Sequence, residues 1–155
     1  MKRIISLVFT CAIFSSCGIT VQNDNPNTTT LPIAGTWQLI SGTLIEKGDT
    51  TTTDYTKNKS FIKIINATHF AFLQHDLSKG KNADSSFSSG GGHYTLKDSS
   101  YTEHLEYCND RQWEGNDFSF TVTIKNDTLV QTGIEKVESA GINRLNTEKY
   151  VRLKN

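Results

Sequence analysis

From residue 36 onward, apolar side chains recur at every second position in short segments bounded by turn residues. That period is the signature of strands with one buried face. Residues 36–46 make the first segment and end at Lys47-Gly48-Asp49. A polar, threonine-rich stretch then leads to 60–65, and Asn66-Ala67-Thr68 turns the chain into 69–75. Residues 76–92 are polar and glycine-rich and read as a long mobile loop. Segments 93–96 and 101–107 form a hairpin around Lys97-Asp98-Ser99-Ser100, and 117–125 with 128–134 form another around the two-residue turn Asn126-Asp127. Residues 135–146 read as an irregular connection with a helical turn, before 147–153 closes the chain. Eight strands in simple succession, with no strong amphipathic helix, predict an all-β fold, a single antiparallel up-and-down β-barrel. A two-sheet sandwich is the alternative architecture.

Composition narrows the function classes. The chain has 155 residues, 35% of them apolar, enough for one domain with a single buried sheet face. Sixteen basic and sixteen acidic side chains give no net charge, which argues against a nucleic-acid partner. Three cysteines exclude a disulfide-stapled miniprotein.

The first sixteen residues read as an address. Lys2 and Arg3 precede the apolar run 4–14, about half the length that spans a bilayer, and Ser15-Ser16-Cys17-Gly18 follows. This order resembles the lipobox of bacterial lipoproteins, with Phe14 where that pattern prefers Leu. The resemblance implies a signal peptide over 1–16, diacylation of Cys17 and a membrane partner held through N-terminal acyl chains. An ordinary signal cleaved nearby, leaving Cys17 a plain thiol, is the alternative. Removal of Lys2 and Arg3 leaves the mature chain acidic, so the acyl chains rather than charge would hold the anionic membrane surface. Cys108 would then stand alone. Residues 17–34 hold both prolines and many Asn and Thr, and read as a flexible tether reaching on the order of 20–25 Å. The expected location is the outer membrane, periplasmic face, with the folded domain at 35–155.

Gly35-Thr36-Trp37 resembles the Gly-x-Trp motif that opens lipocalin barrels, and Arg152 lies where that family places an arginine near its last strand. The resemblance implies that Arg152 covers the Trp37 ring and closes the barrel floor, with Gly35 allowing a tight backbone turn beside it. Thr68-His69-Phe70, the run from Gly90 to Leu96, and the run from Tyr101 to Tyr107 are similar to lipocalin-like domains of small bacterial lipoproteins.

An eight-stranded barrel is either filled or just able to hold one small ligand. Alternation puts Phe118, Phe120, Val122 and Ile124 inside, and Tyr101, Glu103, Leu105 and Tyr107 on the inner face of the neighbouring strand. Glu103 would be buried and must find a partner. It is either a satisfied structural group or the polar anchor of a ligand cavity. The leading expectation is a non-enzymatic module binding a small, partly apolar ligand. Leu105, Phe118, Phe120 and Val122 would form its wall, with His69, Tyr101, Glu103 and Tyr107 as polar anchors. A filled barrel contacting envelope proteins through loops 76–92 and 108–116 is the second reading, and an acid–base enzyme using Glu103 and a histidine is the third. The four histidines lack the spacing of a metal site, and no cofactor motif, nucleophile elbow or phosphate loop is present. Trp113 either caps the barrel mouth or packs on its rim.

Overall fold

A computed structural model describes residues 32–83 and 85–154. The expected signal peptide, Cys17 and the tether up to residue 31 lie outside these residues. The described chain is a closed antiparallel β-barrel. Its strands are β1 (Gly35–Glu46), β2 (Asp49–Asp54), β3 (Lys59–Ile65), β4 (His69–Asp76), β5 (Phe87–Lys97), β6 (Ser100–Cys108), β7 (Asp117–Lys125), β8 (Thr128–Val137) and β9 (Ile142–Arg152). Each pairs with its neighbour from β3 to β9, and β1 pairs with both β9 and β3, closing the barrel.

The nine strands make eight staves. β2 pairs with the second half of β1, from Ser41 to Glu46, while β3 pairs with its first half, from Gly35 to Gln38. β2 and β3 are therefore two lengths of one broken stave. The break meets a bulge in β1, where the register with β9 shifts between Leu39 and Ser41. There the Ile40 carbonyl accepts the Tyr55 N–H at 3.0 Å. The extra residue reverses which side chains face inward. Trp37 and Leu39 are buried before it, whereas Gly42 and Leu44 face the interior after it and Ile45 is exposed.

Three segments are more regular than the sequence pattern predicts. The threonine stretch is β2, where Thr43 and Thr52 pair across strands with hydroxyls 3.1 Å apart. The expected loop 76–92 gives up its second part to β5, which starts at Phe87. Glycines 90–92 belong to the sheet because β5 crosses its neighbours closely, and a Cβ at Gly92 would run into the His104 carbonyl. What remains of the loop gathers around Asp76, whose carboxylate accepts from the Ser78 hydroxyl and from the N–H groups of Gly80 and Ser86. Those bonds hold its pKa down at about 2. The expected connection 135–146 is mostly strand, with a 3₁₀ turn at Glu138–Ala140 ended by Gly141 in the left-handed region. The turn at Asn126-Asp127 has positive φ at both residues, as a two-residue hairpin of the right twist requires.

One end of the barrel is packed solid. Ile33, Trp37, Leu39, Ile65, Phe70, Tyr101, Val122, Leu129 and Tyr150 are all buried there. Residues 32–34 are part of this floor rather than of the tether, since Ile33 is buried and its carbonyl accepts the Trp37 indole N–H at 2.7 Å. The Arg152 guanidinium lies 4.0 Å from the Trp37 ring centre and donates to the carbonyls of Ala34 (2.7 Å) and Pro32 (2.6 Å). Gly35, at φ 145°, passes so close beneath that a Cβ would strike the guanidinium. Arg152→Ala removes the ring contact and both carbonyl bonds. It is expected to lower the unfolding free energy by about 2–4 kcal/mol in urea denaturation. Arg152→Lys should recover less than half of that, because one ammonium does not reproduce the planar fork. Unchanged stability in Arg152→Ala would refute its closing role.

Candidate functional site

Above the floor the barrel widens into a cavity of about 300 Å3. Its walls come from the later half of β1, the broken stave, β4, β5 and β6, the β6–β7 connection, β7 and the facing ends of β8 and β9. Tyr55, Phe61 and Phe72 form an aromatic wall, with Phe61 stacked on Phe72 at 5.8 Å and the Tyr55 ring edge-on to Phe61 at 5.9 Å. Leu44, Leu105, Phe118 and Phe120 add aliphatic and aromatic surface. At the mouth Trp113 packs on Phe118 at 5.6 Å, and the Arg144 guanidinium sits 5.2 Å over its ring.

The base of this cavity is polar. Lys63, with 2% of its surface exposed, donates to Glu103 Oε1 at 2.7 Å and to Gln131 Oε1 at 3.1 Å. Gln131 in turn donates to Glu148 Oε2 at 2.7 Å, and the Tyr150 hydroxyl donates to the same oxygen at 2.7 Å. Nearer the mouth, Glu135 accepts from Arg144 Nε and from Asn146 Nδ2, both at 2.7 Å. Strand register explains the grouping, because Gln131 lies directly across from Glu148, and Glu135 from Arg144. Burial raises the pKa of Glu103 and outweighs the opposing charge of Lys63. The Tyr150 phenol is likewise pushed up, by burial and then by the Glu148 charge, and remains a donor.

Four of the eight residues expected to contact a ligand line this cavity: Glu103, Leu105, Phe118 and Phe120. Tyr101 and Val122 are buried in the packed layer below it. His69 and Tyr107 face outward from the barrel and, contrary to expectation, do not anchor a ligand inside it. Tyr107 is 70% exposed because β6 carries a bulge at Glu106, where Gly91 pairs with Tyr107 and Gly92 with Leu105. The bulge turns Tyr107 outward and brings Cys108 to the cavity instead. Burial raises the Cys108 pKa, keeping it a thiol. His69 alternates with the inward Phe70 and so faces solvent, where its Nδ1 meets the Thr68 hydroxyl at 2.7 Å.

The outer face holds a row of three histidines on β4, β5 and β6 that ends at Asp117 on β7, since His69 pairs with His93, His93 with His104 and His104 with Asp117. The His93 and His104 rings stack at 4.2 Å, and their Nδ1 atoms meet Glu106 (2.9 Å) and Asp117 (2.8 Å). Among the described residues no group of three His, Cys, Asp or Glu is placed to hold a metal ion.

Neither a protein-family model nor a curated protein matches the chain. Solved structures similar to it include two from Bacteroides species. A lipocalin-like protein from Bacteroides uniformis shares 17% identity at a TM-score of 0.47, over 77% of this chain and 97% of the other. An uncharacterized protein from Bacteroides eggerthii shares 13% identity at a TM-score of 0.43, over 77% and 98%.

The residues missed from the sequence are Tyr55, Phe61, Lys63, Phe72, Gln131, Glu135, Arg144, Asn146 and Glu148. A signal existed for several. Gln131 and Glu135 alternate in phase with Leu129 and Val137, and Glu148 with Tyr150, so the polar residues share the face of buried apolar ones. The raised pKa of Glu103 also has a consequence for stability. A carboxyl that holds its proton more tightly when folded contributes fully below its ordinary value of 4.5, and loses that contribution as the pH rises through the folded pKa. Glu103→Gln should therefore gain stability relative to the unsubstituted protein as the pH rises above 4.5, read by urea denaturation at each pH. A gap that narrows as pH rises would contradict this burial of charge.

Proposed function

We propose that the protein is a lipid-anchored envelope protein, without enzymatic activity, whose barrel binds a small, partly apolar ligand. The observation that carries the reading is the cavity of about 300 Å3 above a solid floor. That volume lies at the small end of the range for ligand sites, and its lining joins aromatic walls to a few placed polar groups, the usual composition of such sites. The binding set is Glu103, Leu105, Phe118 and Phe120 together with Tyr55, Phe61, Lys63, Phe72 and the polar groups of β8 and β9. A binding rather than a catalytic role is supported by a Cys108 thiol held protonated and by acids engaged with cations or amides.

The anchor rests on the order of charge, apolar run, small residues and Cys17 in the sequence. Pro32, the first described residue, lies at the closed end, where Arg152 holds its carbonyl. A tether to Cys17 would thus leave the domain from its floor side, at the end opposite the mouth.

Native mass spectrometry of the full-length protein extracted from bacterial membranes tests both parts. The expected spectrum shows a diacyl adduct, lost in Cys17→Ala, and a second extra mass that dissociates on unfolding. A protein that carries no dissociable mass, even after incubation with envelope extracts, would overturn ligand binding. An unmodified Cys17 would overturn the anchor.

A further inference from the structure

The cavity carries more acid than base. Glu103, Glu135 and Glu148 line it with Lys63 and Arg144, so three carboxylates share two cations, and Asp110 at the mouth adds a fourth acid. Both cations are already committed, Lys63 to Glu103 and Gln131, and Arg144 to Glu135. Of the three, Glu148 has the weakest hold on a cation. Its two hydrogen bonds, from Gln131 and Tyr150, converge on Oε2, and the ammonium of Lys63 stands 3.9 Å from that same oxygen. Among the described residues no donor reaches Glu148 Oε1. That oxygen is open to the cavity, so the carboxylate keeps an acceptor that the protein does not use and that a ligand's donor can reach.

The surroundings select the kind of countercharge. Tyr150, which bonds Glu148, has its ring edge-on to Phe61 at 6.4 Å, and Phe61 stacks on Phe72. The free oxygen therefore belongs to the same chamber as the aromatic wall, whose ring faces favour an organic cation. A metal ion would need several converging ligands, and no such group is present among the described residues. An anion would add to the acid surplus and would find both cations occupied.

On the reading that the cavity binds a small ligand, we propose that this ligand is a compact organic cation. Its ammonium group would donate to Glu148 Oε1, and its apolar body would lie against Tyr55, Phe61 and Phe72. The alternative way to remove the surplus charge is a proton retained on Glu103, which would leave the cavity indifferent to ligand charge.

Isothermal calorimetry on the full-length protein at neutral pH, with benzylammonium, benzyl alcohol and benzoate as near-isosteric probes, separates these. Benzylammonium is expected to bind about tenfold or more tighter than benzyl alcohol, with benzoate giving no binding. Glu148→Gln should bring benzylammonium down to the level of benzyl alcohol. Unchanged binding of benzyl alcohol to the variant would establish that it is folded. Benzyl alcohol or benzoate binding as tightly as benzylammonium would overturn the cation proposal while leaving a ligand cavity in place. Unaltered benzylammonium binding in Glu148→Gln would also overturn it. Failure of all three probes to bind would overturn the ligand-binding reading as well.

Discussion

Lys63 is a charged amine inside a barrel, and the interior is organised around it. Taking an ammonium and a carboxylate out of water costs several kcal/mol for each ion, and a close pair recovers this only if the remaining hydrogen-bonding capacity is also met. Here Glu103 and Gln131 supply that capacity at 2.7 and 3.1 Å, and Gln131 passes the connection on to Glu148 and Tyr150. Four strands are tied through one ammonium group. An aliphatic side chain in its place would let the neighbouring apolar layers close over the space. The ion pair instead marks the level at which the packed floor ends and the polar chamber begins.

Each half of the barrel follows from that division. Below Lys63, Trp37, Tyr101, Val122, Leu129 and Tyr150 fill the interior, and Arg152 seals the end from outside by covering the Trp37 ring and holding two carbonyls. Above it, two bulges change what the strands present. The one at Ile40 brings Gly42 and Leu44 inward and carries Tyr55 with them, and the one at Glu106 brings Cys108 inward and sends Tyr107 out. A continuous alternation would have given a uniformly packed tube. Two extra residues in two strands help to open one end of it.

The number and order of the staves and the closed barrel were legible because they follow from period-two alternation and from turn residues, although the threonine-rich β2 was not read as a strand. The ends of strands were less so. Gly90, Gly91 and Gly92 look like a loop until the neighbouring backbones are seen to leave no room for a Cβ. The polar chamber was half legible. Glu103 stood out because it shared a face with Leu105 and Tyr101. Lys63 did not, because both faces of that strand carry apolar residues, Phe61 and Ile65 inward and Ile62 and Ile64 outward, with Ile64 41% exposed. Alternation alone does not choose the inner face there. His69 was misplaced for a different reason, since its position in a familiar segment said nothing about the face to which it belonged.

The central claim is that a small molecule enters the chamber above Lys63 and not the floor beneath it. Methyl NMR of the folded protein titrated with benzyl alcohol tests this most directly. The account predicts that the methyl groups of Leu44 and Leu105 shift with a common saturation curve, while those of Val122 and Leu129 stay in place. Shifts confined to the exterior Leu73 and Leu77, or none at Leu44 and Leu105, would contradict it.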